Sequence, residues 1–450
     1  MSRISAANSP RSPSLKTPPN VLLFFTDQQR WDTVGAYGNP MGLTLNLDRM
    51  AARGVRFERA FTCQPVCAPA RACLQTGRFA TEHGVWRNAI LLDPAAETIG
   101  HHFRRQGYWT AYIGKWHLAN LITRPVPKEY RTGYEYWLAS DTLEYTSHPY
   151  RVTMFDGDGQ PVHLPGYRVD ALTDAAIRYL EAHGSDGKPF FLTVSYIEPH
   201  QQNDMNKLCA PDGYAARYRD PLYVPWDLVG AGGDWRKELP DYYGMVARLD
   251  ENLGRILAAL DRLDLARRTV VFFLTDHGCH FRTRNREYKR SPHESSIRIP
   301  LVAQGPGFDR GAVVPELVSL IDLPPTLLEI AGAPIPAAMR GTSLLSLFDR
   351  RKANWQDDVF VQTSEEEVGR AVRTEHWKYS VHAPEKNGGK DSSSERYVEQ
   401  YLYDLEHDPW ERENLIGRPE HRAVADEMRE RLIRRMVGAG EREPEIVRAR

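Results

Sequence analysis

The feature that most limits how this 450-residue chain can fold is a series of short apolar runs separated by helical patterns. Runs of this kind, alternating with amphipathic helices, predict the buried strands of an α/β protein. We therefore expect a large sheet, mostly parallel with mixed pairing, sandwiched between helices. The predicted strands span residues 21–25, 110–113, 190–195, 270–274 and 301–303.

Apolar residues that repeat at helical spacing predict the helices between these strands. The clearest patterns span residues 169–183, 245–260 and 324–331. Asp241 is a plausible N-cap for the second helix, and Gly332 ends the third.

The character of the chain changes after about residue 350, where a charged, linker-like segment begins. Strand candidates follow at 359–363, 370–373 and 378–381, and an amphipathic helix covers about 420–436. We therefore predict a disordered tail over residues 1–18, a catalytic domain over 19–350 and a smaller C-terminal α+β domain over 351–450.

Composition and charge argue against several classes of function. The net charge of −1 gives no reason to expect a nucleic acid or an anionic membrane as a partner. No apolar run approaches the roughly 18 residues of a membrane span, and the N-terminal segment lacks the apolar core of a secretory signal. We therefore expect a cytoplasmic protein. The five cysteines, an odd number in a long chain, do not suggest a disulfide framework.

Polar side chains follow the predicted strands at the points where the strands end, which is where open α/β sheets bind ligands. These residues are Asp27, Gln28, Lys115, His117, His200, Asp276 and His277. Two carboxylates brought together need a cation, or one of them must take up a proton, and a divalent metal is the simpler account. Carboxylate and amide oxygens suit Ca²⁺ or Mg²⁺, whereas a histidine ligand favours Mn²⁺.

A basic loop follows the second of these strand ends. It contains Arg282, Arg284, Arg286, Lys289 and Arg290. A solvated basic loop is one interpretation. The other is a set of cations beside a metal, which together stabilise the negative charge that develops on a sulfate or phosphate ester during hydrolysis.

Cys67 is the candidate nucleophile, because Pro69 is placed to open a helix whose N-terminus faces an anion. A plain thiolate stays open as the attacking group, although an oxygen nucleophile is a better partner for a hard metal. The residues by themselves indicate metal-assisted hydrolysis of an anionic ester.

The segment Cys67-Ala68-Pro69-Ala70-Arg71 resembles the Cys-x-Pro-x-Arg signature of the formylglycine-dependent sulfatases, which belong to the alkaline-phosphatase-like superfamily. It departs from the usual family motif at Ala70, where serine is common. Other segments are similar to the family's remaining motifs, and the resemblance covers residues 19–436. Those segments are 19–27, 114–118, 198–200, 275–278, 289–301 and 403–415.

The resemblance implies a metal site and an alkaline-phosphatase-like fold. The implied metal is Ca²⁺, with Mn²⁺ and Mg²⁺ as alternatives. Its ligands would be Asp27, Gln28, Asp276, His277 and the modified Cys67.

The resemblance also implies a covalent mechanism in two steps. A formylglycine-generating enzyme would oxidise Cys67, and the hydrated aldehyde would attack the sulfate ester. His117 would then take a proton from the second hydroxyl, which expels sulfate. Arg71 and Lys115 would orient the formylglycine. His200 and Lys289 would bind the sulfate, and one of them would protonate the leaving alcohol.

The expected substrate is a sulfated sugar or another small sulfate ester. Asp-Gln and Asp-His metal loops also occur in relatives similar to choline sulfatases and phosphonate monoester hydrolases, so a phosphonate monoester or phosphodiester hydrolase is the alternative. A binding protein with unmodified Cys67 is a third interpretation. We expect the specificity pocket in segments 119–167 and 201–235, with Arg370 or His376 closing one wall. The candidate contacts are Tyr145, His148, Tyr150, Asn203 and Asp204.

Overall fold

The structure is a computed structural model that describes residues 18–220 and 222–449. Most of the predicted N-terminal tail, residues 1–17, therefore lies outside the described residues. Within the described ranges, none of the helices combines the length and the apolar composition needed to cross a membrane.

The strands form two separate sheets. The strands of the large sheet are β1 (Asn20–Thr26), β2 (Val55–Phe61), β3 (Trp109–Lys115), β4 (Tyr136–Ser140), β5 (Val152–Phe155), β6 (Pro161–Leu164), β7 (Phe190–Ser195), β8 (Thr269–Thr275), β9 (Arg298–Ile299), β10 (Leu301–Gln304) and β11 (Ala312–Ser319). The strands of the small sheet are β12 (Val359–Thr363), β13 (Gly369–Arg373), β14 (Trp377–His382), β15 (Arg396–Asp404) and β16 (Glu445–Val447).

The helices vary from single turns to a long helix of 28 residues. They are α1 (Leu45–Arg53), α2 (Cys67–Thr76), α3 (Ala80–His83), α4 (Ile99–Arg105), α5 (Leu143–Thr146), α6 (Arg168–His183), α7 (Tyr214–Arg217), α8 (Trp235–Arg262), α9 (Glu294–Ile297), α10 (Leu323–Ile330) and α11 (Arg422–Gly438).

The large sheet is parallel in its middle and mostly antiparallel towards its edges, although the edge pair β11–β2 is parallel. Its order is β11-β2-β10-β8-β1-β7-β3-β4-β5-β6, with β9 paired to β2. The pairs β8–β1, β1–β7, β7–β3 and β3–β4 are parallel, whereas β10, β5 and β6 pair antiparallel with their neighbours. The predicted fold class, a mixed α/β sheet flanked by helices with a smaller C-terminal sheet, is confirmed.

Helices cover both faces of the central strands, which explains why those strands are continuous apolar runs. In β1, Val21, Leu23 and Phe25 belong to the core that α2, α4 and α10 cover. Leu22 and Phe24 point to the other face and pack against α1, α6 and α8.

The predicted start of the long helix is wrong. Helix α8 begins at Trp235, and both Pro240 and Asp241 lie inside it. Its first turns pack Trp235 and Leu239 against Phe281 in a separate apolar cluster, so tertiary burial extends the helix across the proline. Asp241 does not cap the helix and instead accepts a hydrogen bond from the backbone nitrogen of Ala210 at 3.3 Å.

The small sheet is antiparallel from β12 to β15, and α11 packs on one of its faces. Buried charges join this sheet to the large one, and we call Glu294, Arg373, Lys378 and Glu411 the interface cluster. Lys378 Nζ contacts the carboxylates of Glu294 and Glu411, and Arg373 Nε lies 3.4 Å from Glu294 Oε1. The domain boundary at residue 350 stays a prediction.

Candidate active site

The parallel pairing of β1 with β8 places the two predicted metal loops side by side. Thr26 pairs with Thr275, so Asp27 and Asp276 leave the sheet together. With Cys67 and His277 they form a buried group whose potential ligand atoms all lie within 4.8 Å of one another. The structure thus brings these predicted side chains together, and their role as metal ligands stays a prediction.

Cys67 lies at the centre of this group, at the first position of α2. Its Sγ lies 3.3 Å from His277 Nε2, 2.9 Å from Lys289 Nζ and 3.6 Å from Asp27 Oδ1. Burial by itself would raise the pKa of the thiol, but the charges of Lys289 and Lys115 outweigh it and hold that pKa well below its usual range. The site therefore stabilises negative charge at this position.

His277 is oriented as a metal ligand would be. Its Nδ1 lies 3.0 Å from the carbonyl oxygen of Gly278, which assigns the proton to Nδ1. The lone pair of Nε2 then faces the carboxylates, with Asp276 Oδ1 at 3.6 Å and Asp27 Oδ1 at 3.9 Å. A backbone carbonyl that fixes the tautomer in this way is typical of metal-binding histidines.

Two buried oxygens of the site accept no hydrogen bond from any described residue. They are Gln28 Oε1 and Asp276 Oδ2. Gln28 holds a left-handed backbone with φ of 66° and donates from Nε2 to Gln201 Oε1 at 2.9 Å, which leaves its own Oε1 available. Orphaned oxygens beside carboxylates fit a divalent cation, because a buried polar atom otherwise costs free energy.

Arg71 and Lys115 lie behind the two carboxylates and balance their charge. Arg71 Nη2 donates to Asp27 Oδ2 at 3.0 Å, and Arg71 Nε lies 3.4 Å from Asp276 Oδ2. Lys115 Nζ lies 2.9 Å from Asp27 Oδ2. Burial opposes ionisation of Asp27, yet these cations outweigh it and lower the pKa of that carboxyl. Both cations thus contact the metal-loop carboxylates directly.

Gly114 sets the direction of the backbone at the end of β3, just before Lys115. Its φ is +108°, and a Cβ at this position would lie 2.0 Å from the carbonyl oxygen of Ser195 on β7. Only glycine fits so close to the neighbouring strand. Ser195 in turn accepts a hydrogen bond at Oγ from Arg71 Nη1 at 2.8 Å, which anchors that arginine.

Glu144 is a site residue that the sequence did not reveal. It lies on the four-residue helix α5, and its buried Oε2 lies 3.2 Å from Lys115 Nζ. Burial by itself would lower the pKa of Lys115, but Asp27 and Glu144 together raise it. Glu144 also lines the cavity above Cys67, so it connects the buried ammonium group of Lys115 with the space that substrate would occupy.

A cavity of about 460 Å³ opens above Cys67. Its lining comprises Cys67, Asn88, Ala89, Ile90, His117, Asn120, Ile122, Thr142, Glu144, Tyr145, His200, Gln201, Asn203, Asn206, Arg282, Glu287, Lys289 and Arg290. The structure therefore brings His117, His200 and Lys289 together around Cys67. Tyr145 and Asn203 line the same cavity. His148, Tyr150 and Asp204 lie outside this lining.

Backbone strain is concentrated around this cavity. Of the thirteen non-glycine residues with positive φ in the described ranges, seven line it. These seven are Ala89, His117, Asn120, Ile122, Asn206, Arg282 and Arg290. Left-handed conformations at such residues are costly and cluster where function requires them.

The expected contribution of Arg370 or His376 to the cavity wall is wrong. Arg370 is buried against Glu441 at 2.7 Å, and His376 lies at the surface, 3.3 Å from Glu406. Another residue of the small-sheet region, Glu365 on the segment between β12 and β13, instead contacts residues that line the cavity.

Glu365 supports two parts of the cavity at once. Its Oε2 lies 2.6 Å from Nη2 of Arg290, and its Oε1 accepts a hydrogen bond from the backbone nitrogen of Asn88 at 2.6 Å. Asn88 Oδ1 in turn accepts from the backbone nitrogen of Ala68 at 3.0 Å, next to Cys67. One carboxylate from the small sheet therefore helps to position the start of α2.

Family models match most of the chain. The model described as Sulfatase matches residues 19–333, and the model described as N-sulphoglucosamine sulphohydrolase, C-terminal, matches residues 287–437. The ulvan-active sulfatase of Formosa agariphila is 30% identical to this chain, in an alignment covering 94% of this chain and 82% of that protein.

Solved structures share the architecture. A structure in complex with its substrate D-glucosamine-2-N,6-O-disulfate has a TM-score of 0.78 and 22% identity, covering 95% of this chain and 99% of that one. The phosphonate monoester hydrolase of Agrobacterium radiobacter has a TM-score of 0.72 and 23% identity, covering 94% of this chain and 96% of that one. At these identities the likeness demonstrates the fold alone.

Proposed function

The chain belongs to the sulfatase family and is a sulfate ester hydrolase, and on that premise we propose that it removes sulfate from sugars with a formylglycine made from Cys67. The position of Cys67 carries the proposal. Its Sγ touches the candidate metal ligands on one side and Lys289 on the other, at the base of the cavity.

Sulfatases generally use formylglycine together with a divalent metal. We propose Asp27, Gln28, Asp276, His277 and the modified Cys67 as the ligands. When bound, the metal supplies Lewis-acid stabilisation of negative oxygens. Four side chains in this set, the hydrated formylglycine among them, would bind through oxygen, which favours Ca²⁺, although a histidine ligand also suits Mn²⁺.

The residues of this chain that face the cavity divide the remaining work. Lys289 presents its ammonium group beside Cys67, where it balances the charge of a sulfate group. His200 has its Nδ1 2.6 Å from the carbonyl oxygen of Gln201, which directs its Nε2 away from the backbone and leaves it for the sulfate or the leaving oxygen. His117 lines the cavity together with Cys67, so it is placed to move a proton there.

The chemistry of the cavity wall supports a sugar as the alcohol part of the substrate. Its neutral polar groups come from four asparagines together with Gln201 and Thr142, and apolar surface comes from Ile90, Ile122 and Tyr145. A pyranose ring presents hydroxyl groups at its edges and C–H groups on its faces, which this mixture complements. The name of the Formosa relative and the ligand of the solved homologue both concern sulfated sugars, which also supports the proposal.

Intact mass and a substrate panel test the proposal together. Conversion of Cys67 lowers the mass by the difference between a CH₂SH group and an aldehyde. We expect protein made with a formylglycine-generating enzyme to show this shift and to hydrolyse sulfated mono- or disaccharides faster than choline sulfate. An unshifted mass combined with no sulfatase activity would refute the formylglycine assignment.

A phosphonate monoester hydrolase is the second candidate, because the Asp27-Gln28 and Asp276-His277 loops carry fewer acidic groups than loops built only from Asp and Asn. A phenylphosphonate monoester therefore belongs in the same panel. Turnover of that ester far above every sulfate ester would favour this candidate.

Chelation tests the metal ligands separately from turnover. We expect treatment with a chelator to abolish activity. Addition of Ca²⁺ should then raise the melting temperature, because a ligand that binds only the folded state stabilises it. Asp276→Asn should weaken that thermal shift. A full shift in this variant would contradict the assignment of Asp276.

A further inference from the structure

Ile122 combines two features that do not help the chain to fold. Its φ is +54°, a left-handed conformation that is a genuine outlier for a β-branched residue. The residue is also 53% exposed, although its side chain is apolar. The exposed side chain lines the cavity above Cys67. A strained backbone that presents apolar surface to a reaction cavity suggests a binding role.

Neighbouring groups hold this segment in its conformation. Asp141 accepts hydrogen bonds from the backbone nitrogens of Ala119 at 2.9 Å and Leu121 at 2.7 Å. Asp141 itself is fully buried at the end of β4. The conformation of the segment is therefore fixed before any substrate arrives, and the same segment carries His117 at its start.

Tyr145 adds a second apolar surface to the same cavity. Its side chain is 47% exposed, and it lies on α5 one residue after Glu144. The polar lining includes Asn203 and Asn206. The cavity thus has apolar side chains and amide groups around an opening that leads down to Cys67.

We infer that Ile122 and Tyr145 bind the C–H face of the sugar ring that carries the scissile sulfate, and that the strain at Ile122 serves this contact. The inference rests on the proposed function. It makes Ile122 a specificity-determining residue: its contact contributes to substrate binding and takes no part in bond breaking. Esters whose alcohol has no ring would not use the contact.

Ile122→Gly tests the inference, because glycine relieves the left-handed strain and removes the apolar side chain together. We expect the melting temperature to stay equal or to rise. We expect KM for the best sulfated monosaccharide to rise about tenfold, since burial of an isoleucine side chain contributes an affinity of this order. Its kcat should change less than twofold, and kcat/KM for methyl sulfate should stay within twofold.

Two further variants separate binding from structure. Ile122→Asn keeps a side chain of similar length that tolerates the left-handed region, and it should raise KM for the sugar as the glycine variant does. Asp264→Gly alters an exposed left-handed residue with φ of +55° that is not part of the cavity lining, so its kinetics should match wild type.

An unchanged KM for the sugar in Ile122→Gly, with wild-type turnover intact, would overturn the inference and leave the proposed function standing. Equal losses on the sugar and on methyl sulfate would also overturn it, since they would indicate a disturbed catalytic centre. Absence of sugar sulfatase activity in the wild type would instead refute the proposed function, and the inference with it.

Discussion

The molecule contains two buried groups of charges that differ in how completely they are paired. In the interface cluster, Lys378 contacts both Glu294 and Glu411. Glu411 Oε2 also accepts a hydrogen bond from the backbone nitrogen of Glu294 at 2.7 Å. Around Cys67, by contrast, Gln28 Oε1 and Asp276 Oδ2 accept no hydrogen bond from the described residues.

The difference separates a structural role from a chemical one. A closed set of ion pairs can only hold two sheets together, because every charge already has its partner. An open set leaves buried oxygen atoms available to a cation and a substrate, and the folded chain tolerates the free-energy cost of leaving them without hydrogen bonds. Pairing is therefore a better guide to function here than burial, which the two groups share.

Removal of the nucleophile should have the largest effect on the open group. We expect Cys67→Ala to lower kcat/KM for 4-nitrophenyl sulfate by about 10⁴-fold or more, as loss of a covalent nucleophile does in other enzymes. Its melting temperature should shift by only a few degrees. Cys73→Ala is the matched control, because Cys73 is a buried cysteine of the same helix that packs in an apolar cluster. Comparable activity losses in both variants would contradict a special role for Cys67.

Removal of Lys378, the cation at the centre of the interface cluster, should destabilise that cluster without changing catalysis at Cys67. We expect Lys378→Met to lower the free energy of unfolding by about 3–5 kcal/mol, because it leaves two buried carboxylates with too few partners. Urea denaturation would measure this, and kcat of the folded enzyme should stay at the wild-type value. The double variant Lys378→Met/Glu411→Gln should regain part of the lost stability. A kcat that falls with stability would show that the two groups are not independent.

Glu365 connects the segment between β12 and β13 with the cavity around Cys67 and lies outside the interface cluster, so its variant sharpens the contrast. We expect Glu365→Ala to lower kcat/KM about tenfold, because Arg290 and the backbone of Asn88 each lose a partner, at a cost of about 1–3 kcal/mol per buried group. Glu366→Ala alters the exposed neighbour and should be neutral. Steady-state kinetics of both variants, beside their melting temperatures, would reveal whether Glu365 acts on the site or only on folding.

The smallest expected effect concerns the acid side of the stability profile. Burial by itself would raise the pKa of Glu294, but Lys378 and Arg373 outweigh it and lower that pKa. The folded state therefore binds fewer protons at Glu294 than the unfolded state. This contribution to stability is present above the ordinary glutamate pKa of about 4.3 and is lost as pH falls through the lower folded value.

We therefore expect Glu294→Gln to lose stability less steeply than wild type below pH of about 4.3. Melting temperatures measured between neutral pH and pH 3 would show this, with the exposed Glu420→Gln as control. Identical acid slopes in the two variants would assign the acid sensitivity to other carboxylates.

The sequence indicated the central strands well because their burial on both faces leaves an uninterrupted apolar signal. The prediction for β7 coincides with the observed strand, Phe190–Ser195. The strands that it missed include β2 and β15, in which polar residues interrupt the apolar ones and the strand is only partly buried, so their short runs resemble loops.

The candidate site residues also differ in how clearly the local sequence marks them. The sequence could place Asp27, Lys115, His200, Asp276 and His277 near one edge of the sheet because each lies at or after the end of a strand, and the resemblance to sulfatases added Arg71 and Lys289; their roles stay predictions. Glu144 and Glu365 were not predictable, since nothing in their local sequence marks them. Their importance comes from contacts made across 29 and 75 residues of chain, which only the folded arrangement reveals.

The burial of Cys67 has a consequence for how the protein is made. The thiol is 1% exposed and all ten residues of α2 are buried, so a modifying enzyme cannot reach it once the chain has folded. Lys289, which closes over the thiol, is 222 residues further along the chain. At about 5–20 residues per second, synthesis of that interval takes about 11–44 s. Oxidation of Cys67 by a modifying enzyme must therefore be completed before the rest of the chain is synthesised and folds over it. Slower translation should yield a larger modified fraction.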